Sequence, residues 1–393
     1  MSEAGSLMQT QNVLRPGLVE LAFGEPDPGL LPLDAVRRAA ALALEREGAG
    51  AIAYGESEGP LALRAALAQR IAGREGVSVD ADEVIVTSGN SAALELAVTA
   101  FTEPGDVAFV ESPTYNLALA ILRDHPVEVV GVRHDADGLD VDDLEAAVAR
   151  VRARGRRPRL LYTIPTFHNP TGACLSVERR AALVALAQRE DLLIVEDDVY
   201  RELVYEGEAP PSLWSLDPKA PVLRLGTFSK SLTPGLRVGW MTGREDLRLR
   251  CTGTGMIESG GCPSQFAATV AAALLDGGDY ETHVAALRSA YAARRDALAA
   301  ALRAHLPAGC DFVVPAGGYF LWVSLPAGLT ATALLPHAER HGVSFLPGGR
   351  FSTEGEDHHV RLAFSLYDEA ALAEGAARLA AAIGDALGHH SPR

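Results

Sequence analysis

The spacing of apolar positions changes along the chain, and the changes divide the sequence into regions. Residues 1–30 show little periodicity and carry several prolines, which predicts an extended N-terminal arm. Helices are predicted over 34–47 and 60–74, with Gly55, Gly59 and Pro60 at the break between them. From about residue 80 the pattern is different, because short β-branched runs alternate with Ala- and Leu-rich helical stretches.

Seven of these short runs predict strands. Most are continuously apolar rather than alternating, which is typical of strands that are buried on both faces. They lie at 84–87, 107–110, 127–132, 160–163, 192–195, 222–226 and 238–241. Because helical stretches separate them, the sequence predicts an α/β fold with a mostly parallel, doubly wound sheet.

A second pattern follows a long helical block over 263–306. Short strands are predicted near 312–314, 319–324, 343–345 and 360–363, with helices over 331–341 and 368–387. This arrangement favours a smaller α+β domain. The predicted divisions are an arm at 1–30, a large domain at 31–280 and a small C-terminal domain at 281–393, which includes part of the arm.

Composition excludes several classes of protein. Hydrophobic residues make up 48% and charged residues 22%, which excludes a wholly disordered chain. The net charge of −16 makes the chain a poor binder of polyanions, so nucleic acid and anionic membrane surfaces are not expected as partners. The four cysteines never form a CxxC, and no apolar run reaches the ~20 residues of a membrane helix. We therefore expect a cytoplasmic protein without a metal site.

Several common enzyme signatures are absent from the sequence. It contains no GxxxxGK[ST], HExxH or strand-linked GxGxxG motif. Instead, Lys230 follows an apolar strand in a turn rich in hydroxyl groups, glycine and proline, and Arg237 comes seven residues later. A lysine in a partly enclosed position can have a lowered pKa and attack carbonyl groups. A single lysine in a turn is more often an ordinary surface residue. Whether Lys230 has a chemical role therefore depends on which other segments accompany it.

Two further segments place polar residues directly after strands. Residues 164–172 read IPTFHNPTG, and residues 195–200 read VEDDVY. Open α/β sheets bind ligands at the carboxyl ends of their strands, which is where both segments are predicted to lie.

Together these motifs resemble those of fold-type I pyridoxal 5′-phosphate (PLP) enzymes of the class I and II aminotransferase family. The resemblance extends from Leu21 to about Ile383 and is strongest to the aminoadipate and kynurenine aminotransferase branch. It implies a large domain with a mostly parallel seven-stranded sheet, PLP as the cofactor, and transfer of an amino group between an amino acid and a 2-oxo acid.

The resemblance also implies roles for individual residues. Lys230 would form the Schiff base with PLP and move the Cα proton. Asp197 would pair with the pyridine nitrogen, with Asp198 as the rival acid, and the family's Asp-x-x-Tyr spacing favours Asp197 with Tyr200. Asn169 and Tyr200 would bind the ring oxygen, while Tyr115 would stack on the ring.

The remaining implied contacts surround the phosphate and the substrate. The phosphate would be held by Asn90, Ser91, Ala92, Thr227, Ser229 and Arg237. Tyr54 would reach the phosphate of the neighbouring subunit, which implies a homodimer with shared active sites. Arg361, Gly24 and Asn169 would bind the substrate, with Arg361 on the α-carboxylate.

The substrate surroundings depart from the family pattern. Phe23, Gly24 and Glu25 stand where relatives often have two glycines, and Phe23 or Glu25 could narrow the pocket or bind a cationic group. An alternative hypothesis is therefore a PLP-dependent elimination, replacement or ring-forming reaction, for example on S-adenosylmethionine. A third is a ligand-sensing regulator, although such regulators carry a basic N-terminal DNA-binding domain and only 20 residues precede Leu21.

Overall fold

The computed structural model describes residues 14–389. Its strands, numbered along the chain, are β1 (Val19–Glu20), β2 (Val84–Thr87), β3 (Val107–Ser112), β4 (Glu128–Asp135), β5 (Gly138–Leu139), β6 (Pro158–Thr163), β7 (Leu193–Asp197), β8 (Val222–Thr227), β9 (Gly239–Gly243), β10 (Asp311–Phe312), β11 (Phe320–Ser324), β12 (Val343–Ser344), β13 (Leu346–Pro347) and β14 (His359–Ala363).

The α-helices are α1 (Leu33–Glu47), α2 (Leu61–Glu75), α3 (Asn90–Phe101), α4 (Asn116–Arg123), α5 (Val141–Ala153), α6 (Val177–Glu190), α7 (Leu213–Leu216), α8 (Glu245–Thr252), α9 (Gly255–Gly260), α10 (Gln265–Asp276), α11 (Asp279–His305), α12 (Ala331–Arg340) and α13 (Glu369–His389). No helix within residues 14–389 is both long and apolar enough to cross a bilayer.

The largest element is an eight-stranded sheet with the order β2-β9-β8-β7-β6-β3-β4-β5. Pairing is parallel from β8 through β7, β6 and β3 to β4. Strand β9 runs antiparallel to β2 and β8, and β5 closes a hairpin with β4. The seven predicted strands and the mostly parallel α/β sheet are confirmed, and the two-residue β5 is the addition.

Successive residues of the inner strands face two different cores. Val84 and Val86 pack in one core with Trp214, whereas Ile85 between them packs in the other with Leu94. Helices cover both faces of the sheet, so every position of such a strand is buried. This double coverage explains why the strand segments are continuously apolar.

The predicted helical block over 263–306 is two helices rather than one. Gly277 and Gly278 separate α10 from α11, and Gly278 adopts a left-handed conformation with φ of 73°. Glycine reaches that conformation without a Cβ clash, so it ends one helix and starts the next. Val284 of α11 packs in one of the two cores of the large sheet. Leu287, one turn later, packs in a third core, which belongs to the small sheet.

This third core lies on a four-stranded antiparallel sheet with the order β10-β11-β14-β13. The N-terminal arm contributes β1, which pairs in parallel with β12 through Val19 and Val343. This pairing supports the assignment of part of the arm to the small domain. The domain limits themselves stay a prediction.

One buried arginine holds the loop that leaves β6 against α6. Arg180 is 0% exposed and donates to four oxygens: the carbonyls of Leu175 (2.8 Å), Pro165 (2.5 Å) and Pro211 (2.9 Å) and Oγ1 of Thr166 (3.0 Å). A charged donor suits this position because one guanidinium can satisfy several buried acceptors at once. The same loop carries His168 and Asn169 towards the sheet edge.

We expect Arg180→Met to lower the free energy of unfolding by about 3 kcal/mol, because it leaves buried carbonyl groups without donors. Urea unfolding measures the change. Arg189→Met is the matched control on the same helix, since that half-exposed side chain pairs with Glu145 at the surface, and it should change stability by no more than about 0.5 kcal/mol. Equal losses in the two variants would contradict the role given to Arg180.

Candidate active site

Polar side chains collect where four neighbouring parallel strands end. Strands β3, β6, β7 and β8 lie side by side, so the segments that follow them meet at one edge of the sheet. These segments carry Tyr115, Asn169, Tyr200 and Lys230. The edge is therefore the place where the sequence predicts a ligand site.

Asp197 is the last residue of β7 and is buried. Oδ2 accepts a hydrogen bond of 2.7 Å from the Tyr162 hydroxyl, and Oδ1 accepts one of 2.5 Å from Nδ2 of Asn90. Burial raises the pKa of Asp197 to about 6, and the two donated hydrogen bonds oppose that rise. The carboxylate is thus held in place by neutral donors without a protein cation bonded to it.

Asp198 bonds to an entirely different set of residues. Oδ2 accepts a hydrogen bond of 3.0 Å from Nε of Arg224 and another from Arg201. Glu75 of α2 completes the cluster at 2.8 Å from Arg224. Burial alone would raise the pKa of Asp198, but the two guanidinium groups hold it below its ordinary value. This internal neutralisation supports Asp197, rather than Asp198, as the predicted acid of the site.

A cradle of donors surrounds the start of α3. The first turn, which contains Asn90, Ser91 and Ala92, has backbone N–H groups without intrahelical partners. Gly89 before it has φ of 83°, and a Cβ at Gly89 would lie 2.8 Å from Nη2 of Arg237. Only glycine allows this close approach.

Hydroxyl groups complete this cradle next to Arg237. Nη2 of Arg237 donates to the carbonyl of Ser88 at 3.0 Å, and Nη1 lies 3.4 Å from Oγ of Ser229. Oγ of Ser229 is in turn 2.9 Å from Oγ1 of Thr227. A helix N-terminus, two hydroxyls and a guanidinium together suit a phosphate group.

Lys230 extends from the end of β8 into the cleft. Nζ donates to the carbonyl of Gly24 at 2.6 Å and lies 5.5 Å from the ring centre of Tyr319. Burial lowers the pKa of Lys230 to about 8, while Glu25 opposes the shift and Arg361 adds to it. A larger neutral fraction at neutral pH makes this amine a better nucleophile than an exposed lysine.

Arg361 of β14 is buried and bonds only to neutral groups among residues 14–389. Nη1 donates to Oδ1 of Asn169 at 3.0 Å, and Nη2 donates to the carbonyl of Ala22 at 2.6 Å. The guanidinium carbon lies 4.1 Å from the ring centre of Phe320, and Nε has no hydrogen-bond partner. Burial lowers the pKa of Arg361 to about 10. A buried cation without an anion is costly, and a bound carboxylate would compensate it.

Aromatic side chains form the walls of the cleft. The ring of Tyr200 lies 5.5 Å from that of Tyr319 and 5.9 Å from that of Phe320. Burial raises the pKa of Tyr200 well above its ordinary value. Burial, together with the charge of Asp197, raises the pKa of Tyr115 to about 12. Both phenols are therefore hydrogen-bond donors at neutral pH.

Gly24 and Glu25 line the cleft opposite Lys230. A Cβ at Gly24 would lie 2.6 Å from the Phe320 ring, so a larger residue would displace the aromatic ring under Arg361. Burial raises the pKa of Glu25, and the charge of Lys230 opposes that rise.

The structure brings most of the predicted residues into contact. Hydrogen bonds join Asn90 to Asp197 and Asn169 to Arg361, and Lys230 lies close enough for electrostatic interaction with Asp197, Arg237 and Arg361. Tyr54 is different, because 90% of its surface is exposed in the single chain. It does not contribute an enclosed contact to the site of its own subunit.

Three residues that shape the site were not predicted from the sequence. Tyr162 fixes Asp197, Phe320 lies under Arg361, and the hydroxyl of Tyr319 donates to the carbonyl of Lys230 at 3.0 Å. Tyr162 left a signal, since a tyrosine in an otherwise aliphatic buried strand needs a partner for its hydroxyl. Phe320 and the adjacent Tyr319 have no such signal in the sequence, because their role depends on how the small sheet packs against the large one.

The donor set fits PLP. The cradle at α3 matches a phosphate dianion, the Lys230 amine matches the aldehyde, and the buried Asp197 carboxylate matches a protonated pyridine nitrogen. Oδ1 of Asn90 is buried without a hydrogen-bond partner beside Asp197. The family implies this cofactor, and the residues present are those it needs.

We expect Asp197→Asn and Asp198→Asn to change apoprotein stability in opposite directions. The folded-state pKa of Asp197 is above that of the unfolded chain, so its contribution to stability is present below about pH 4 and lost as the pH rises through 6. As the pH rises from about 4 to 7, wild type loses this contribution and Asp197→Asn does not. The free energy of unfolding of the variant, measured in urea, should therefore rise by about 3 kcal/mol relative to that of wild type across this interval.

Asp198→Asn should lose stability at pH 7, by about 3 kcal/mol or more, since two buried guanidinium groups lose their partner. A loss of the same sign and size in both variants at pH 7 would contradict the division of roles between the two carboxylates.

The comparisons with known proteins cover nearly the whole chain. Residues 16–379 match the family model described as aminotransferase class I and II. The chain is 34% identical to an aromatic-amino-acid aminotransferase of Thermococcus litoralis, over 96% of this chain and 89% of that protein. It is also 34% identical to a 2-aminoadipate transaminase of Thermus thermophilus, over 94% and 91%.

A solved structure gives the same result at the level of the fold. The kynurenine aminotransferase of Pyrococcus horikoshii superposes with a TM-score of 0.89 at 34% identity, over 94% of this chain and 92% of that chain. Family model, sequence identity and architecture agree with the site's geometry, and the chain therefore belongs to the class I and II aminotransferase family.

Proposed function

We propose that this chain binds PLP through Lys230 and moves an amino group between an amino acid, held at Arg361, and a 2-oxo acid. Amino-group transfer is the activity of the family to which the chain belongs. The observation that carries the residue-level proposal is the pairing of an amine of lowered pKa with a buried guanidinium that lacks an anion.

The residues that would hold the cofactor fall into three groups. The cradle of Thr227, Ser229, Arg237 and the first turn of α3 would hold the phosphate, Asp197 the pyridine nitrogen, and Asn169 with Tyr200 the ring oxygen. When bound, PLP supplies an electron sink that stabilises negative charge on the substrate Cα. Asn90 and Tyr162 would keep the Asp197 carboxylate oriented towards the nitrogen.

Lys230 would then carry the proton. An amine with a pKa of about 8 exchanges protons readily at neutral pH, and the carbonyl of Gly24 fixes Nζ at one wall of the cleft. Tyr319 holds the backbone of Lys230 from the other side. The same amine can both take the Cα proton of an amino acid and return it to another carbon.

Arg361 would orient the substrate. A guanidinium binds a carboxylate through two parallel hydrogen bonds, which fixes the rotation of the amino acid about its Cα. Phe320 and Asn169 hold the guanidinium in one plane. The Cα–H bond would then face Lys230.

We expect Lys230→Ala to abolish transamination and cofactor attachment, because both the amine nucleophile and the proton carrier are lost. The chain has two lysines, Lys219 and Lys230, so Lys219→Ala at the surface is a matched control. Borohydride reduction of the PLP-loaded protein and peptide mapping should give a pyridoxyl label on Lys230 in the wild type and in Lys219→Ala. A label on Lys219 alone would contradict the assignment.

A turnover assay with and without a 2-oxo acid separates the alternative reaction class. A transaminase needs a 2-oxo acid and yields a new amino acid, whereas elimination, replacement or ring formation consumes an amino acid without it. No contact in the site and no comparison favours the alternative. Steady turnover of one amino acid in the absence of any 2-oxo acid would overturn amino-group transfer as the main activity.

A homodimer with shared sites is the second part of the proposal. Ile52, Tyr54, Met256 and Phe266 are 70%, 90%, 62% and 40% exposed. Gln265 donates to the carbonyl of Gly50 at 3.3 Å, so the segments that carry three of them are in contact. An exposed apolar surface of this kind suits burial by a second copy of the chain. A cytoplasmic location also stays a prediction.

Hybrid dimers test the sharing of sites. If Tyr54 serves the neighbouring subunit, a hybrid of one Tyr54→Phe chain and one Arg361→Ala chain has one intact site and one site with both defects. We expect it to keep about half of the wild-type activity, while each parent homodimer is impaired. A hybrid no more active than its parents, or a monomer active by sedimentation, would contradict the proposal.

A further inference from the structure

A carboxylate and two imidazoles meet beneath the active site, and the proposed mechanism uses none of them. Glu111 lies on β3, His134 on β4 and His168 in the loop after β6. These three strands are neighbours in the order β6-β3-β4. One ligand atom from each of the three residues lies within 4.8 Å of the others.

The cluster is closely packed. Glu111 and His168 are each 1% exposed, and Nε2 of His168 lies 3.1 Å from Oε2 of Glu111. The same oxygen accepts a hydrogen bond of 2.9 Å from the backbone N–H of Ile164. The rings of His134 and His168 are neighbours, with 4.3 Å between ring centres and a tilt of 32° between ring planes.

One nitrogen of this cluster is unsatisfied. Nε2 of His134 is buried and has no hydrogen-bond partner among residues 14–389, whereas Nε2 of His168 is buried beside the Glu111 carboxylate. Buried polar atoms without partners are rare because each costs desolvation energy. An ion pair between His168 and Glu111 would explain one nitrogen and leave His134 unexplained.

We propose that Glu111, His134 and His168 form a binding site for a divalent first-row transition metal, with Zn²⁺ as the best-matched ion. A single cation accepts the lone pairs of both imidazoles and the charge of the carboxylate, so it satisfies all three groups together. Two histidines and one carboxylate are a known donor set for Zn²⁺. Mg²⁺ and Ca²⁺ prefer oxygen ligands throughout and fit this cluster poorly.

The Glu111–His168 separation suits such an ion, and the His134 ligand atom would approach from within 4.8 Å. Ligands about 2.1 Å from a tetrahedral metal are about 3.4 Å apart, and the Glu111–His168 pair is already at 3.1 Å. Only His134, which lies near the edge of the large sheet on β4, needs to approach further. The ion would use three protein ligands and leave its fourth position to water.

Thr171 gives the cluster an outer contact. Nδ1 of His168 lies 3.0 Å from Oγ1 of Thr171 and 3.5 Å from the backbone nitrogen of Thr171, and metal binding through Nε2 requires the tautomer in which Nδ1 donates to Oγ1. The bound ion would tie together β3, β4 and the loop after β6. Asn169 is adjacent to His168 and Tyr115 is four residues beyond Glu111, so the metal would position the substrate edge of the site without taking part in chemistry.

Metal binding by the holoenzyme tests this proposal. After EDTA treatment and dialysis, the protein is titrated with Zn²⁺ alone, and bound metal is measured by equilibrium dialysis with elemental analysis. We expect one Zn²⁺ per chain in the wild type. His134→Ala and His168→Gln should each weaken binding by about 100-fold or more, since each removes one ligand.

The control is His125→Ala, because that histidine contacts Glu95 on the surface of the large domain and should leave Zn²⁺ binding unchanged. Co²⁺ gives a second readout that does not depend on any variant folding. Its visible spectrum should indicate four or five nitrogen and oxygen ligands and show no thiolate band. Absence of stoichiometric binding, equal binding in all three variants or a thiolate band would each overturn the metal site.

Discussion

Two buried charges of opposite sign share one cleft without bonding to each other, and the rest of the site is arranged around that constraint. Asp197 is held by the neutral donors Tyr162 and Asn90, and Arg361 by the neutral acceptors Asn169 and the Ala22 carbonyl. A direct ion pair would cancel both charges and close the cleft. Holding them apart keeps one anion and one cation available to a ligand that carries the complementary groups.

That separation needs rigid support from outside the cleft. Arg180 ties the loop after β6 to α6, and the cluster of Glu75, Asp198, Arg201 and Arg224 ties the end of β7 to α2. Among residues 14–389, no hydrogen bond joins either group to Lys230 or Arg361. Both fix the backbone that presents Asn169 and Asp197, because rearranging either would strand buried charges or carbonyl groups. The structure therefore separates charges that stabilise the fold from charges left free for binding.

The large sheet and the edge at which its polar segments meet were predictable from the sequence, because the informative signals are local. Continuous apolar runs mark strands buried on both faces, and polar residues after them mark the ligand edge. The break between α10 and α11 was also local, since Gly277 and Gly278 stand together, but the strong helical pattern on both sides concealed it. The domain limits and the residue roles remain predictions that the contacts support.

What sequence reasoning missed depends on contacts between distant segments. Phe320 matters only because β11 brings it under Arg361. Glu111, His134 and His168 come from three segments with no metal-ligand spacing, so their proximity could not be predicted from the sequence, and the expectation of no metal site stays a prediction. The order of strands in the sheet, which decides such meetings, is not a local property.

The acidity of Lys230 has a consequence for selectivity among amines. At pH 7, a pKa of about 8 leaves about a tenth of these amines neutral, whereas an ordinary lysine with a pKa near 10.4 is neutral in about 0.04% of molecules. An aldehyde condenses only with the neutral form. Competition among the chain's primary amines thus favours Lys230 by two to three orders of magnitude before any shape recognition. The burial that makes charged groups in the cleft costly to fold stability also directs an electrophile to Lys230.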